Sequence, residues 1–186
     1  MTKSCSQQPT TQPTRAQVQR SIEQWAEEFG SSATHALTLT FDGGQIDRLT
    51  RHSASIHGAN DPRMVAWYSA SMRRFRQLLD KRLHGNKSAR YGNQLLLVPV
   101  LEGLRDGQNP HYHCLLGVTP DRIAAVEAAV RECWAKVDFA GRHNTIDRIY
   151  DQGFHRYATK HANSLDHINV DWGNVVKPAW SRATAE

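Results

Sequence analysis

Cysteine is scarce in this 186-residue chain. The three present, Cys5, Cys114 and Cys133, have no paired spacing. A disulfide framework and a cysteine-built zinc site are therefore excluded, and a reducing cytosol is the expected setting. Long apolar runs are also missing, so nothing is expected to span a bilayer. The N-terminus lacks the charged-then-apolar order of a signal peptide, which makes a cytoplasmic protein with no membrane partner the expectation. No internal repeat is visible. Gly85-Asn86-Lys87-Ser88 lacks the Gly-Lys-Ser/Thr order of a phosphate loop, so no helicase motor is visible. The sequon Asn86-Lys87-Ser88 has no secretion signal to make it relevant. One-sided charge is modest: Lys and Arg number 23 against 18 Asp and Glu, and the pI is about 9.3. That excess suits a nucleic-acid partner without demanding one. A 39% hydrophobic fraction and a mean hydropathy of −0.60 fit one soluble domain with a sizeable core.

What is present centres on Asn109-Pro110-His111-Tyr112-His113-Cys114-Leu115-Leu116. The run reads as a strand. Side chains alternate across a strand, so His111 and His113 share one face, about 7 Å apart at their bases. Two imidazoles so placed can grip one divalent metal. Tyr112, Cys114 and Leu116 take the other face and can enter a core. Upstream, Leu95 to Leu101 reads as a second strand ending at Glu102. Gly103 to Pro110 carries turn residues, and a hairpin there brings Glu102 next to His111. Two histidines and a carboxylate leave coordination positions open, as catalysis requires. Asp147 is an alternative ligand on a neighbouring strand, and Glu102 could instead be an exposed turn carboxylate.

A further element, Gly153 to Ala162, has helical composition. Tyr157 and Lys160 lie three apart and share a helix face. A tyrosine beside a cation and a metal can serve as a nucleophile, because nearby positive charge favours the phenolate. His155 and His161 flank it and read as surface residues or DNA contacts.

The set Leu37-Thr38-Leu39-Thr40-Phe41, then Glu102 with His111-Tyr112-His113, then Tyr157-Ala158-Thr159-Lys160, resembles the HUH endonucleases, and most of all the rolling-circle replication initiators of plasmids and single-stranded DNA phages. All three motifs stand in the family's order over residues 37 to 160, about two-thirds of the chain. The resemblance implies that Tyr157 attacks a phosphodiester of single-stranded DNA, at an origin or hairpin, and becomes linked to the 5′ phosphate. It implies Mg or Mn held by His111, His113 and Glu102, with Lys160 balancing charge near the tyrosine. The freed 3′ hydroxyl would prime replication or be rejoined, and a host or separate helicase would supply the missing motor. One tyrosine in the third motif implies a single nucleophile. Tyr150 lies seven residues earlier, but Gly153 and an apparent strand at 145–150 set it outside that helix. A carboxylate as third ligand speaks against the conjugative relaxase branch. A single-tyrosine transposase and a non-catalytic DNA-binding regulator remain alternatives. The endonuclease reading also makes Thr38 and Thr40 candidate phosphate contacts, and Arg73, Arg74 and Arg76 a candidate DNA track.

Along the chain, residues 1–13 read as a disordered tail and 14–186 as the endonuclease domain. Helices are expected at 15–28, at 62–83 with Met64, Tyr68, Met72, Phe75, Leu79 and Leu83 as its apolar stripe, and after Thr119-Pro120. Residues 42–60, with His52 and His57, read as a polar loop. The segment from 165 onward has no assigned place. The implied order of elements is α+β, with helices on an antiparallel sheet. The resemblance narrows this to a ferredoxin-like or RRM-like palm. Pro99 requires an edge position or a bulge.

Overall fold

In the computed structural model, residues 31–52, 56, 58–86, 90, 95–104, 109–150 and 170–182 are described. The expected 1–13 tail, the 15–28 helix, His57 and the Tyr157 helix lie outside them. The first strand, β1 (His35–Thr40), follows the alternation of its sequence. Leu37 and Leu39 are buried, as is Phe41 just beyond, while Thr38 and Thr40 point to the other face and are half-buried.

Residues 42–60 are not a loop throughout, because α1 (Gly43–His52) occupies half of them. Two glycines at its start and Ile46 as its sole buried residue hide it from a periodicity search. Its start signal is nonetheless in the sequence. The Gln45 N–H donates to Asp42 Oδ1 at 3.1 Å and the Gln45 side-chain amide donates to Asp42 Oδ2 at 2.8 Å, a capping arrangement three residues apart. Those bonds hold the Asp42 carboxyl below its ordinary range.

The second helix, α2 (Pro62–His84), starts where Asp61 accepts a hydrogen bond from the Arg63 N–H and Pro62 takes the first turn. It stops at Gly85, whose φ of 65° a residue with a Cβ rarely adopts. Its expected stripe is the buried one: Met64, Tyr68, Met72, Phe75, Leu79 and Leu83. Each such side chain contributes about 1.5–3 kcal/mol by leaving water.

The hairpin follows as β2 (Leu96–Glu102) and β3 (His111–Gly117). After it, Pro120–Ala125 forms a 3-10 segment before α3 (Val126–Trp134). Thr119 does not cap the helix as expected; its hydroxyl donates to Asp121 Oδ1 at 2.6 Å, which leaves the first turns to tighten. The last strand, β4 (Thr145–Arg148), is shorter than the 145–150 expected.

The sheet order is β2-β3-β1-β4, with every neighbouring pair antiparallel. Since β1 and β2 both run against β3 between them, they run parallel to each other and are joined through helices. This is the split β-α-β arrangement of a β-α-β-β-α-β fold, an α+β architecture with the helices packed on one face. The main core lies between that face and α2 and α3, where Leu37, Leu39, Tyr112, Cys114 and Leu116 meet Met72, Phe75 and Trp134.

The other face is divided. At one end Leu96, Val98 and Leu115 are covered by Val175 and Trp180, which gives the C-terminal segment its place. Val170 and Val176 bridge to Val100 and Leu97 along the outer edge of β2. Leu97 exchanges both backbone hydrogen bonds with Val176, so Pro99, two residues on, also turns its nitrogen away from β3. Its missing N–H costs the hairpin nothing, and its carbonyl accepts from the Asp171 N–H at 3.0 Å. No helix among the described residues is long and apolar enough to cross a membrane.

Candidate metal centre

The other end of that face carries Glu102, His111 and His113. Cross-strand pairing sets Glu102 opposite His111 and Val100 opposite His113, so strand parity puts all three side chains on one side. His111 Nε2 and His113 Nε2 are 3.2 Å apart. One Glu102 carboxylate oxygen lies 3.8 Å from the first and 3.6 Å from the second. Metal–nitrogen bonds of about 2.0–2.1 Å in tetrahedral or octahedral geometry separate adjacent donors by roughly 3 Å, so the two nitrogens already sit at coordination spacing. Each side chain is a quarter to a third exposed.

The hydrogen bond behind the His111 ring decides which of its nitrogens carries the proton. His111 Nδ1 lies 2.9 Å from the Asn109 carbonyl oxygen. A carbonyl only accepts, so Nδ1 carries the proton and Nε2 keeps its lone pair. His113 Nδ1 lies 3.1 Å from Thr38 Oγ1, a hydroxyl that can accept from this nitrogen or donate to it. The rings stand at 87° to one another. Two imidazole nitrogens at this distance can share one proton between them or bind one cation together. The donor set therefore fits a divalent metal, and partners of this kind orient histidine ligands in metal sites generally. Gly103 makes room for the first of these bonds. Its φ is 76°, and a Cβ there would strike the Asn109 carbonyl and lie 3.0 Å from His111 Nδ1.

Glu102, not Asp147, is thus the carboxylate that converges with the histidines. Asp147 is exposed on β4 opposite Ala36 and takes no part in the cluster. Thr38 is at the site but engaged with His113. Thr40, across the ladder from His111, donates its hydroxyl proton to the His143 carbonyl at 3.0 Å. Arg73 and Arg74 are exposed and Arg76 half-buried on α2. That helix packs on the face occupied by Tyr112 and Cys114, the face away from the triad. The structure does not bring these arginines to the metal centre. Tyr157, Lys160, His155 and His161 lie outside the described residues. Tyr150 is 83% exposed, with the Arg148 guanidinium 5.1 Å from its ring centre.

Three participants have no sequence signal. The Asn109 contribution is a backbone carbonyl, which no side-chain identity announces. Thr38 reads as a phosphate contact until its partner is known. Asp171 lies 59 residues from Tyr112, whose hydroxyl donates to its Oδ2 at 3.0 Å. Burial, with the Asp171 charge beside it, pushes the Tyr112 phenol far above its ordinary range, so this tyrosine stays protonated between the two histidines.

No family model, curated protein or solved structure matches this chain. Its fold and its candidate centre therefore rest on the geometry above.

Proposed function

We propose that this protein is a metal-dependent, tyrosine-type endonuclease that nicks and rejoins single-stranded DNA and so initiates rolling-circle replication. One observation carries the reading: Glu102, His111 and His113 converge, partly exposed, on the face of a four-stranded antiparallel sheet opposite α2 and α3. The ordered motifs at Leu37–Phe41, His111–His113 and Tyr157–Lys160 support it, as does the net charge of +5.

A divalent ion held by the triad would act as a Lewis acid on the scissile phosphate. Mg or Mn would serve, and two imidazole ligands favour Mn. Tyr157 provides the nucleophile. Its phenol oxygen loses a proton and attacks phosphorus, the bond to the 3′ oxygen breaks, and that oxygen leaves as a 3′ hydroxyl after taking a proton. The 5′ phosphate remains esterified to Tyr157. Rejoining is the reverse, with a 3′ hydroxyl attacking the phosphotyrosine and the phenol departing. Lys160 lowers the cost of the phenolate. Arg73, Arg74 and Arg76 are left out of this assignment, because a phosphate at the triad is a sheet's thickness away from their helix.

The test is covalent capture. Labelled single-stranded oligonucleotides of varied sequence are incubated with the protein and Mn, and the attached residue is mapped by mass spectrometry. An adduct on Tyr157 that Tyr157→Phe abolishes, with DNA binding retained, is expected. An adduct persisting in Tyr157→Phe refutes the nucleophile. DNA binding with no wild-type adduct across the pool supports a non-catalytic binder instead.

A further inference from the structure

We infer that Asp171 is a positioning residue of the metal centre, acting through Tyr112 from the far side of the sheet. This rests on the reading of Glu102, His111 and His113 as metal ligands, and adds the device that holds their two strands in place.

Tyr112 stands between the two histidines, so its side chain points the opposite way, into the core, where it is fully buried. An aliphatic residue would fill that position without a directional anchor. Tyr112 has one, its hydroxyl donating to Asp171 Oδ2 at 3.0 Å. The same aspartate reaches the other ligand strand, its N–H donating to the carbonyl of Pro99, three residues before Glu102, at 3.0 Å. One residue therefore ties the strand carrying Glu102 to the strand carrying His111 and His113.

Asp171 is itself fastened. Ser69 Oγ on α2 donates to Asp171 Oδ1 at 2.9 Å. The side-chain amide of Asn174, a residue with no exposed surface, donates to Asp171 Oδ2 at 2.7 Å and to the Ser69 carbonyl at 2.8 Å. The Asn174 N–H closes the turn onto the Asp171 carbonyl at 2.8 Å. These bonds restrict Asp171 to one geometry, although the Asn174 side-chain oxygen is buried without a hydrogen-bond partner. The mechanical consequence follows from the pleat. Any roll of Tyr112 about the strand axis swings His111 and His113 together the opposite way, which shifts both relative to the Glu102 carboxylate on β2, now 3.8 and 3.6 Å from their Nε2 atoms. The C-terminal segment thus belongs to the metal centre without touching it.

The experiment titrates Mn into the full chain, following the free-ion electron paramagnetic resonance signal, for wild type, Tyr112→Phe, Asp171→Asn and the double variant. Measurement is made where circular dichroism shows each protein folded, so that lost stability alone leaves the reading unmoved. Each single variant is expected to weaken Mn binding about tenfold, the lower end of the usual effect of outer-shell partners. Because both changes break one contact, the double variant is expected to lose no more than the weaker single variant. Singles within about twofold of wild type, or losses that multiply in the double variant, overturn the proposal. If Asp171→Asn fails to fold, Tyr112→Phe decides alone, since it removes one oxygen and preserves the ring. A wild type that binds no Mn withdraws the metal centre itself and this inference with it.

Discussion

Gly103→Ala should weaken metal binding although residue 103 is not a ligand. Two effects act together. The φ of 76° is one that a residue with a Cβ rarely adopts, costing about 1–2 kcal/mol of stability. The added Cβ would also meet the Asn109 carbonyl, with its carbon at 2.8 Å, and would stand 3.0 Å from His111 Nδ1. Neither neighbour is the far end of a flexible side chain. The carbonyl must move, and with it the 2.9 Å hydrogen bond that keeps the His111 Nε2 lone pair directed at the centre. Loss of such a partner weakens metal affinity about 10–100-fold, or about 1.4–2.8 kcal/mol. Gly85→Ala is the matched control. Its φ of 65° is also in the positive range, but an added Cβ there meets nothing within 4 Å. Thermal melts should show both variants destabilised, and Mn titration should show only Gly103→Ala impaired. Unchanged affinity in folded Gly103→Ala, or an equal loss in Gly85→Ala, would refute the role given to Asn109.

Two further outcomes concern stability. Phe75 is fully buried and meets the Trp134 ring nearly edge-on at 5.4 Å, so Phe75→Ala should cost about 3–5 kcal/mol in urea unfolding; a loss under about 1 kcal/mol would mean that α2 is not packed as described. Burial raises the Cys114 thiol, pushes the Tyr68 phenol up to about 12, and raises Tyr112 further, with Cys133 shifted the same way. These acids ionise first in the unfolded chain, so stability should fall as pH rises past the unfolded values, about 8.5 for cysteine and 10 for tyrosine, by up to about 1.4 kcal/mol per pH unit for each group. Cys114→Ala should flatten that fall between about pH 9 and 10, and an unchanged slope would contradict the burial of the thiol.

Much of this was legible in the sequence, for physical reasons. The α2 stripe repeats over 23 residues, long enough for a 3.6-residue period to stand out. Strand parity alone puts His111 and His113 on one face, and a short hairpin leaves Glu102 few places other than beside His111. Other parts were closed to that kind of reading. With Ile46 as its only buried residue, α1 had no stripe to find, though its Asp42–Gln45 cap was there to be noticed. Residues 170–176 join the β2 edge through isolated bridges and a polar network whose partners are scattered through the chain, a pattern with no period at all. The arginines of α2 follow helical spacing faithfully, but only the packing of that helix reveals which side of the sheet they occupy.

The most direct test is an anomalous-scattering map from Mn-soaked crystals of the wild-type protein. One strong peak is predicted within about 2.0–2.3 Å of His111 Nε2, His113 Nε2 and a Glu102 carboxylate oxygen. A map with no density between these three side chains, or with the ion bound elsewhere, would contradict the account.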